Sequence, residues 1–322
     1  MAKRQRLCPE ITDPELRAFL DMVPSIRRYN TDLALAQPLK GEALTVPLEG
    51  RELSVYLHRA PASGRPAVFE FHGGGFVLGN AEKDDQLCES LAKRLDANVI
   101  GVNYRLAPEH PYPAALDDAY DVIAYFQAHG AAYGLDPRRM AVLGFSGGAT
   151  LATAAALRAV KEGRFRLRAQ ALHYPYLDAT RMPSEKAHYP CDMDPAVMAA
   201  FTRLYSREEE RTLSAVSPVC ATEAELRGMP PALILPAEYD ALKEEGLAYA
   251  EHLRSAGVPV YCKVMPDAHH GYIEDAGNEA VYSGGTAEDV KKTHSPYFRE
   301  WANAAMDLTA SFLRQRFAEE EA

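Results

Sequence analysis

Gly144-Phe145-Ser146-Gly147-Gly148 is the stretch of this chain whose residue types and spacing speak most directly of chemistry. It follows the apolar run Met140-Ala141-Val142-Leu143 and precedes a small-residue helical stretch that reaches about Val160. In a G-x-S-x-G turn from strand to helix, the serine is forced to positive φ, and its neighbours must be small because the two elements pass so closely. The hydroxyl of Ser146 is thereby pushed into the open, where a nucleophile has to be. A lone G-x-S-x-G also occurs in ordinary glycine turns, so the rest of the chain decides.

A serine hydroxyl attacks poorly until a base takes its proton, and that base needs an acidic group to fix its tautomer and stabilise the imidazolium. In an open α/β sheet the partners belong at the C-terminal ends of later strands. Two segments qualify. Pro236-Ala237-Glu238-Tyr239-Asp240 follows the apolar run Ala232–Leu235, and Pro266-Asp267-Ala268-His269-His270-Gly271 follows Val260–Met265. Ser146, Asp240 and His270 then occur in the order used by α/β-hydrolases. Glu238 and Asp267 rival Asp240 as the acid, and His269 rivals His270 as the base. Upstream, His72-Gly73-Gly74-Gly75-Phe76 follows the first core strand. Three successive glycines let backbone N–H groups point into a cavity, which suits an oxyanion. Phosphate cradling competes, but no P-loop lysine follows and G-x-G-x-x-G is not completed. His72 reads as a support for this loop rather than as the base.

The elements that must position these residues follow from apolar spacing. Residues 1–40 read as helical, with a start signal at Thr12-Asp13-Pro14-Glu15 and with Leu16, Phe19 and Leu20 on one face. A hairpin follows, Ala43–Leu48 and Glu52–His58 around Glu49-Gly50. Short apolar strands then alternate with helical stretches: Ala67–Phe71, Val99–Tyr104, Met140–Gly144, Ala169–Tyr174, Ala232–Ala237 and Val260–Met265. That alternation predicts one α/β domain over 1–322, a mostly parallel central sheet with an antiparallel N-terminal edge, and helices on both faces. The interval from Tyr174 to Ala232, rich in proline and methionine with a helical stretch at Val197–Tyr205, is longer than a crossover needs and reads as an inserted cap. Ile273–Pro296 reads as a polar loop beside the site, before a final helix from Tyr297 to Phe317.

Composition limits the function classes. With 322 residues, 47% hydrophobic and 25% charged, the chain has the profile of a soluble globular protein. Its net charge of -10 argues against a nucleic-acid partner, and no Lys/Arg stripe is read beyond Lys3-Arg4-Arg6. That cluster has no apolar stretch after it, so a signal peptide is not expected. No apolar run is long enough to span a membrane. The five cysteines (Cys8, Cys88, Cys191, Cys220 and Cys262) are scattered and odd in number, so neither a disulfide framework nor a zinc site is expected, and a reducing cytoplasm is.

His72-Gly73-Gly74-Gly75, the stretch Asn103-Tyr104-Arg105-Leu106-Ala107-Pro108-Glu109-His110-Pro111-Tyr112-Pro113-Ala114, the elbow at Ser146, Asp240-Ala241-Leu242-Lys243-Glu244-Glu245-Gly246 and His270-Gly271-Tyr272 together resemble the hormone-sensitive-lipase-like esterases of the α/β-hydrolase fold. The resemblance runs from about residue 65 to 272. It implies hydrolysis of small-molecule carboxylic esters, no metal or organic cofactor, and a helical cap formed by about 1–40 and about 177–216. It selects Asp240 as the acid and His270 as the base, and it makes Gly74, Gly75 and Gly147 the oxyanion donors. Members typically read Gly-Asp-Ser-Ala-Gly-Gly at the elbow; here Phe145 replaces the aspartate and Gly147 the alanine. A preference for short acyl groups follows from the resemblance alone. The same triad could serve an amidase or peptidase, and hydrolase scaffolds also host ligand-binding proteins without catalysis. Tyr189, Met193, Phe201 and Tyr205 are candidate acyl-pocket residues. An exposed strand edge would allow a homodimer.

Overall fold

A computed structural model describes residues 13–189, 193–277 and 297–319. Lys3-Arg4-Arg6, Cys8, Cys191 and residues 278–296 of the expected polar loop lie outside these.

The hairpin forms as its alternation predicts. β1 (Glu42–Leu48) pairs antiparallel with β2 (Arg51–His58), placing Val46 opposite Leu53 with both buried. β3 (Arg65–Phe71), β4 (Asn98–Val102), β5 (Leu135–Phe145), β6 (Ala169–His173), β7 (Ala232–Leu235) and β9 (Val260–Cys262) complete an eight-stranded sheet in the order β1-β2-β4-β3-β5-β6-β7-β9. β2 meets β4 antiparallel, and every pairing from β4 to β9 is parallel. β8 (Ala237–Tyr239) and β10 (Met265–His269) form a separate parallel pair beyond the sheet's carboxyl ends.

Side chains alternate between two cores, one on each face, as a covered parallel sheet requires. Phe69, Val142, Leu172 and Ile234 enter the core shared with α3 (Ala114–His129), α4 (Gly147–Glu162) and α7 (Lys243–Ser255). Val68, Leu143, Ala171 and Leu233 enter the other, against α2 (Asp85–Leu95) and the final helix, α9 (Phe298–Ala318). Among the described residues no helix is long and apolar enough to cross a membrane.

α1 (Pro14–Ala34) starts where the Asp-Pro signal places it, the Asp13 carboxylate accepting from the N–H groups of Glu15 and Leu16. Its Phe19 and Val23 join Ala200, Phe201 and Leu204 of α5 (Pro195–Tyr205) in a third apolar cluster with Val77 and Ala107. The N-terminal arm and the long insertion thus meet each other above the oxyanion-type loop.

Three expectations need correction. The run Val260–Met265 is two strands, not one: β9 ends at Cys262, and β10 starts at Met265 against a different partner. The segment after His270 opens as a helical turn, α8 (Tyr272–Gly277), rather than as loop. Basic residues also gather where the linear reading saw no stripe. The extended stretch Arg164-Phe165-Arg166-Leu167-Arg168 alternates, burying Phe165, and its three arginines line a groove with Arg138 and Arg316.

Candidate active site

The elbow forms at the junction of β5 and α4. Ser146 has φ +51° and ψ −120°, a conformation that non-glycine residues rarely hold. The close passage of strand and helix explains its glycines. A Cβ on Gly144 would lie 2.4 Å from the Gly148 carbonyl oxygen, and one on Gly148 would lie 1.9 Å from that of Phe71. The turn is held by its own backbone, with the Ser146 N–H donating to His173 O at 3.1 Å and its carbonyl accepting from Ala149 and Tyr176.

His270 stands directly after β10, with its Nε2 2.9 Å from Ser146 Oγ. Its Nδ1 lies 3.0 Å from Asp240 Oδ2. Asp240 is buried, and its second oxygen accepts from the Leu242 N–H at 2.9 Å, so the carboxylate is aimed rather than free to rotate. A carboxylate can only accept, so Nδ1 carries the proton and Nε2 is left as the acceptor facing the serine.

The rivals have other duties. His269 Nε2 meets Asp275 at 3.0 Å. Glu238 accepts from the Asp267 N–H at 2.8 Å, while Asp267 itself is exposed with φ +52°.

The triple-glycine loop is bent in a way that side chains oppose, Gly74 having φ +113° and Gly75 φ +59°. Phe201 also covers Gly75 so closely that a Cβ there would lie 2.2 Å from its ring. The N–H groups of Gly74, Gly75 and Gly147 meet no acceptor among the described residues. Gly147 adjoins this loop, since a Cβ on it would lie 3.3 Å from Gly75 Cα. An alanine there fits only tightly.

His72 is buried, its Nδ1 2.8 Å from Gly73 O and its ring stacked on Tyr104 at 4.2 Å. The Tyr104 hydroxyl donates to His72 O at 2.8 Å. Burial pushes the His72 pKa down to about 3, so the ring is neutral and ties the loop down. Phe145 points into the second core, stacked on His173 at 5.0 Å and beside Tyr174 at 6.0 Å.

A small apolar cavity opens beside Ser146 and His270, walled by Phe76, Tyr176, Met193, Met198, Phe201 and Leu242. Of the pocket residues expected from sequence, Met193 and Phe201 are there. Tyr205 stands behind the wall, stacked on Phe76 at 3.7 Å. Tyr189 lies elsewhere, against Tyr239 and Lys243. Four wall residues were missed, and two carried a signal: Phe76 follows the glycines directly, and Leu242 is two residues past Asp240. Among the described residues no group of three or more His, Cys, Asp or Glu side chains is arranged to hold a metal ion.

A family model described as alpha/beta hydrolase fold matches residues 68–274. Esterase LipI of Mycobacterium tuberculosis is 42% identical over 82% of this chain and 89% of its own length. An ethyl acetate hydrolase of Pseudomonas putida is 35% identical over 70% of this chain and 73% of its own. Among solved structures, a thermostable esterase from Pseudomonas putida superposes with a TM-score of 0.80 at 27% identity, covering 96% of this chain and 98% of that one.

Proposed function

Because this chain belongs to the hormone-sensitive-lipase-like carboxylesterases of the alpha/beta hydrolase fold, and so hydrolyses carboxylic esters, we propose that it does so through Ser146, His270 and Asp240. The reading rests above all on the two contacts of His270, 2.9 Å to the serine oxygen and 3.0 Å to the carboxylate. Ser146 Oγ attacks the ester carbonyl as His270 Nε2 takes its proton. The negative charge that develops on the carbonyl oxygen is met by the N–H groups of Gly74, Gly75 and Gly147. His270 then protonates the departing alcohol, and water attacks the acyl-enzyme with His270 again as base. Asp240 holds the imidazole in the required tautomer and stabilises its cation. The unpaired thiols of Cys88, Cys220 and Cys262 are in keeping with a reducing, cytoplasmic setting.

The substrates are small esters with short acyl groups, in a site capped by the N-terminal arm and the 177–216 insertion. The cavity is confined and walled by apolar side chains, which suits a small acyl group. Phe201, wedged between α1 and Gly75, sets its depth. Nitrophenyl esters of graded acyl length, beside a matched nitroanilide, test this. Acetate and butyrate should exceed laurate in kcat/KM by about a hundredfold, and Phe201→Ala should narrow that gap to about tenfold by opening the wall. An equal preference for laurate, or an anilide rate matching the ester, would contradict the substrate reading.

A further inference from the structure

The base and the oxyanion loop come from strands that never touch. His270 directly follows β10, whose partner is β8, whereas the glycines follow β3 in the middle of the large sheet. The sheet therefore does not hold these two parts of the site in mutual register, although catalysis needs them placed to a fraction of an ångström.

A buried polar chain joins them. Glu274, on the first turn of α8 and four residues after His270, is 4% exposed. Its Oε1 lies 3.2 Å from Lys83 Nζ, and its Oε2 accepts from the Tyr174 hydroxyl at 3.2 Å. The same carboxylate lies directly under the glycine loop, for a Cβ on Gly73 would come within 2.8 Å of Oε1. Tyr174 follows β6 with φ +33°, and its ring stands edge-on to the His270 imidazole at 5.1 Å. Phe145 of the elbow packs on this tyrosine.

We infer that Glu274 is a positioning residue for ester hydrolysis, linking the His270 turn to the oxyanion loop through Tyr174, Lys83 and its contact beneath Gly73. The inference rests on the assignment of His270 as base and of the glycine loop as oxyanion site.

Several charged groups surround this link. Asp240 faces His270 from the β8–α7 connection, Ser146 from the elbow, and His269 with Asp275 from its own turn. Lys83, Asp84 and Glu70 lie buried within electrostatic reach of Glu274. Burial works against the Lys83 cation, but Glu274 and Asp84 outweigh it and raise its pKa. Burial also raises Asp84, against the pull of Lys83, to about 7.

Glu274→Gln in the full-length protein is expected to lower kcat for p-nitrophenyl acetate by about thirtyfold with KM changed less than about threefold. Losing the anion while Lys83 stays charged disfavours the His270 imidazolium, so the acid limb of kcat/KM should move down by about half a pH unit. Lys83→Met/Glu274→Gln removes both charges. The limb should return to its original position while kcat stays low, a split that a purely structural defect would not give. Tyr174→Phe, which deletes one hydroxyl, guards against a folding failure and should lower kcat by about fivefold or more. A folded Glu274→Gln enzyme with kcat within threefold of the parent, an unmoved acid limb, or a Tyr174→Phe enzyme within twofold would each overturn the inference. Stoichiometric fluorophosphonate labelling of Ser146, read on the same samples, separates that failure from a failure of the triad assignment.

Discussion

Ser146→Ala is expected to lower kcat/KM for p-nitrophenyl acetate by about four to six orders of magnitude while leaving the folded state intact. The size of the loss follows from the chemistry, because without Oγ no acyl-enzyme forms and only the glycine N–H groups and binding remain to assist water. Intactness follows from packing. The Ser146 side chain faces the cavity beside His270, and the backbone bonds that hold the turn, from His173 O and to Ala149 and Tyr176, do not use the hydroxyl. The alanine must still adopt φ near +51°, a strain of order 1–3 kcal/mol that the parent residue already carries. Steady-state assays beside thermal melts read both halves. A fall of less than tenfold would remove Ser146 from the reaction.

Asp240→Asn should cost about four orders of magnitude in kcat, with KM little changed. The amide keeps the shape but not the role. Asp240 Oδ1 accepts from the Leu242 N–H, so the substituted side chain best keeps its carbonyl there and turns its NH₂ toward His270 Nδ1. That NH₂ seeks an acceptor, which moves the imidazole proton to Nε2. The nitrogen facing Ser146 then has no lone pair with which to take the serine proton. Glu238 cannot substitute readily, since its carboxylate is engaged by the Asp267 backbone. Retention of more than a tenth of kcat would show that the acid lies elsewhere.

How much of this was legible in sequence depended on whether the controlling interaction was local. Glycines at 144 and 148 announce themselves because strand and helix pass within a few ångströms, and the clash can be foreseen from the motif. The hairpin at Glu49-Gly50 and the helix start at Asp13 are similarly local. The last strand was not. Val260–Met265 reads as one apolar run, yet Pro236 has no N–H with which to continue the ladder, so β7 stops at Leu235 and the chain restarts as β8. Met265 donates to the Pro236 carbonyl at 2.8 Å, which carries β10 off the sheet with it. That departure aims His270, and no periodicity within either segment encodes it.

Order and neighbourhood left Glu238 and Asp267 open beside Asp240 and His269 beside His270, and the family resemblance made the choice. His269 ends β10 and His270 lies in the turn after it, so the two imidazoles meet different carboxylates. Only the fold shows that Asp275 takes His269. The pocket wall was harder still. Tyr176 enters from the segment just after β6 and Met198 from α5 within the insertion, and Tyr189, equally aromatic and nearby in sequence, instead meets Tyr239 and Lys243. Nothing in residue type distinguishes them.

A fluorophosphonate probe gives the most direct reading of the central claim, because it reacts with a hydroxyl only where a base, an acid and oxyanion donors already converge on it. Intact mass spectrometry followed by peptide mapping should find one adduct per chain, on Ser146, formed quickly in the parent and about a thousandfold more slowly in His270→Ala. Labelling on another serine, or labelling of Ser146 at the same rate without His270, would contradict the account.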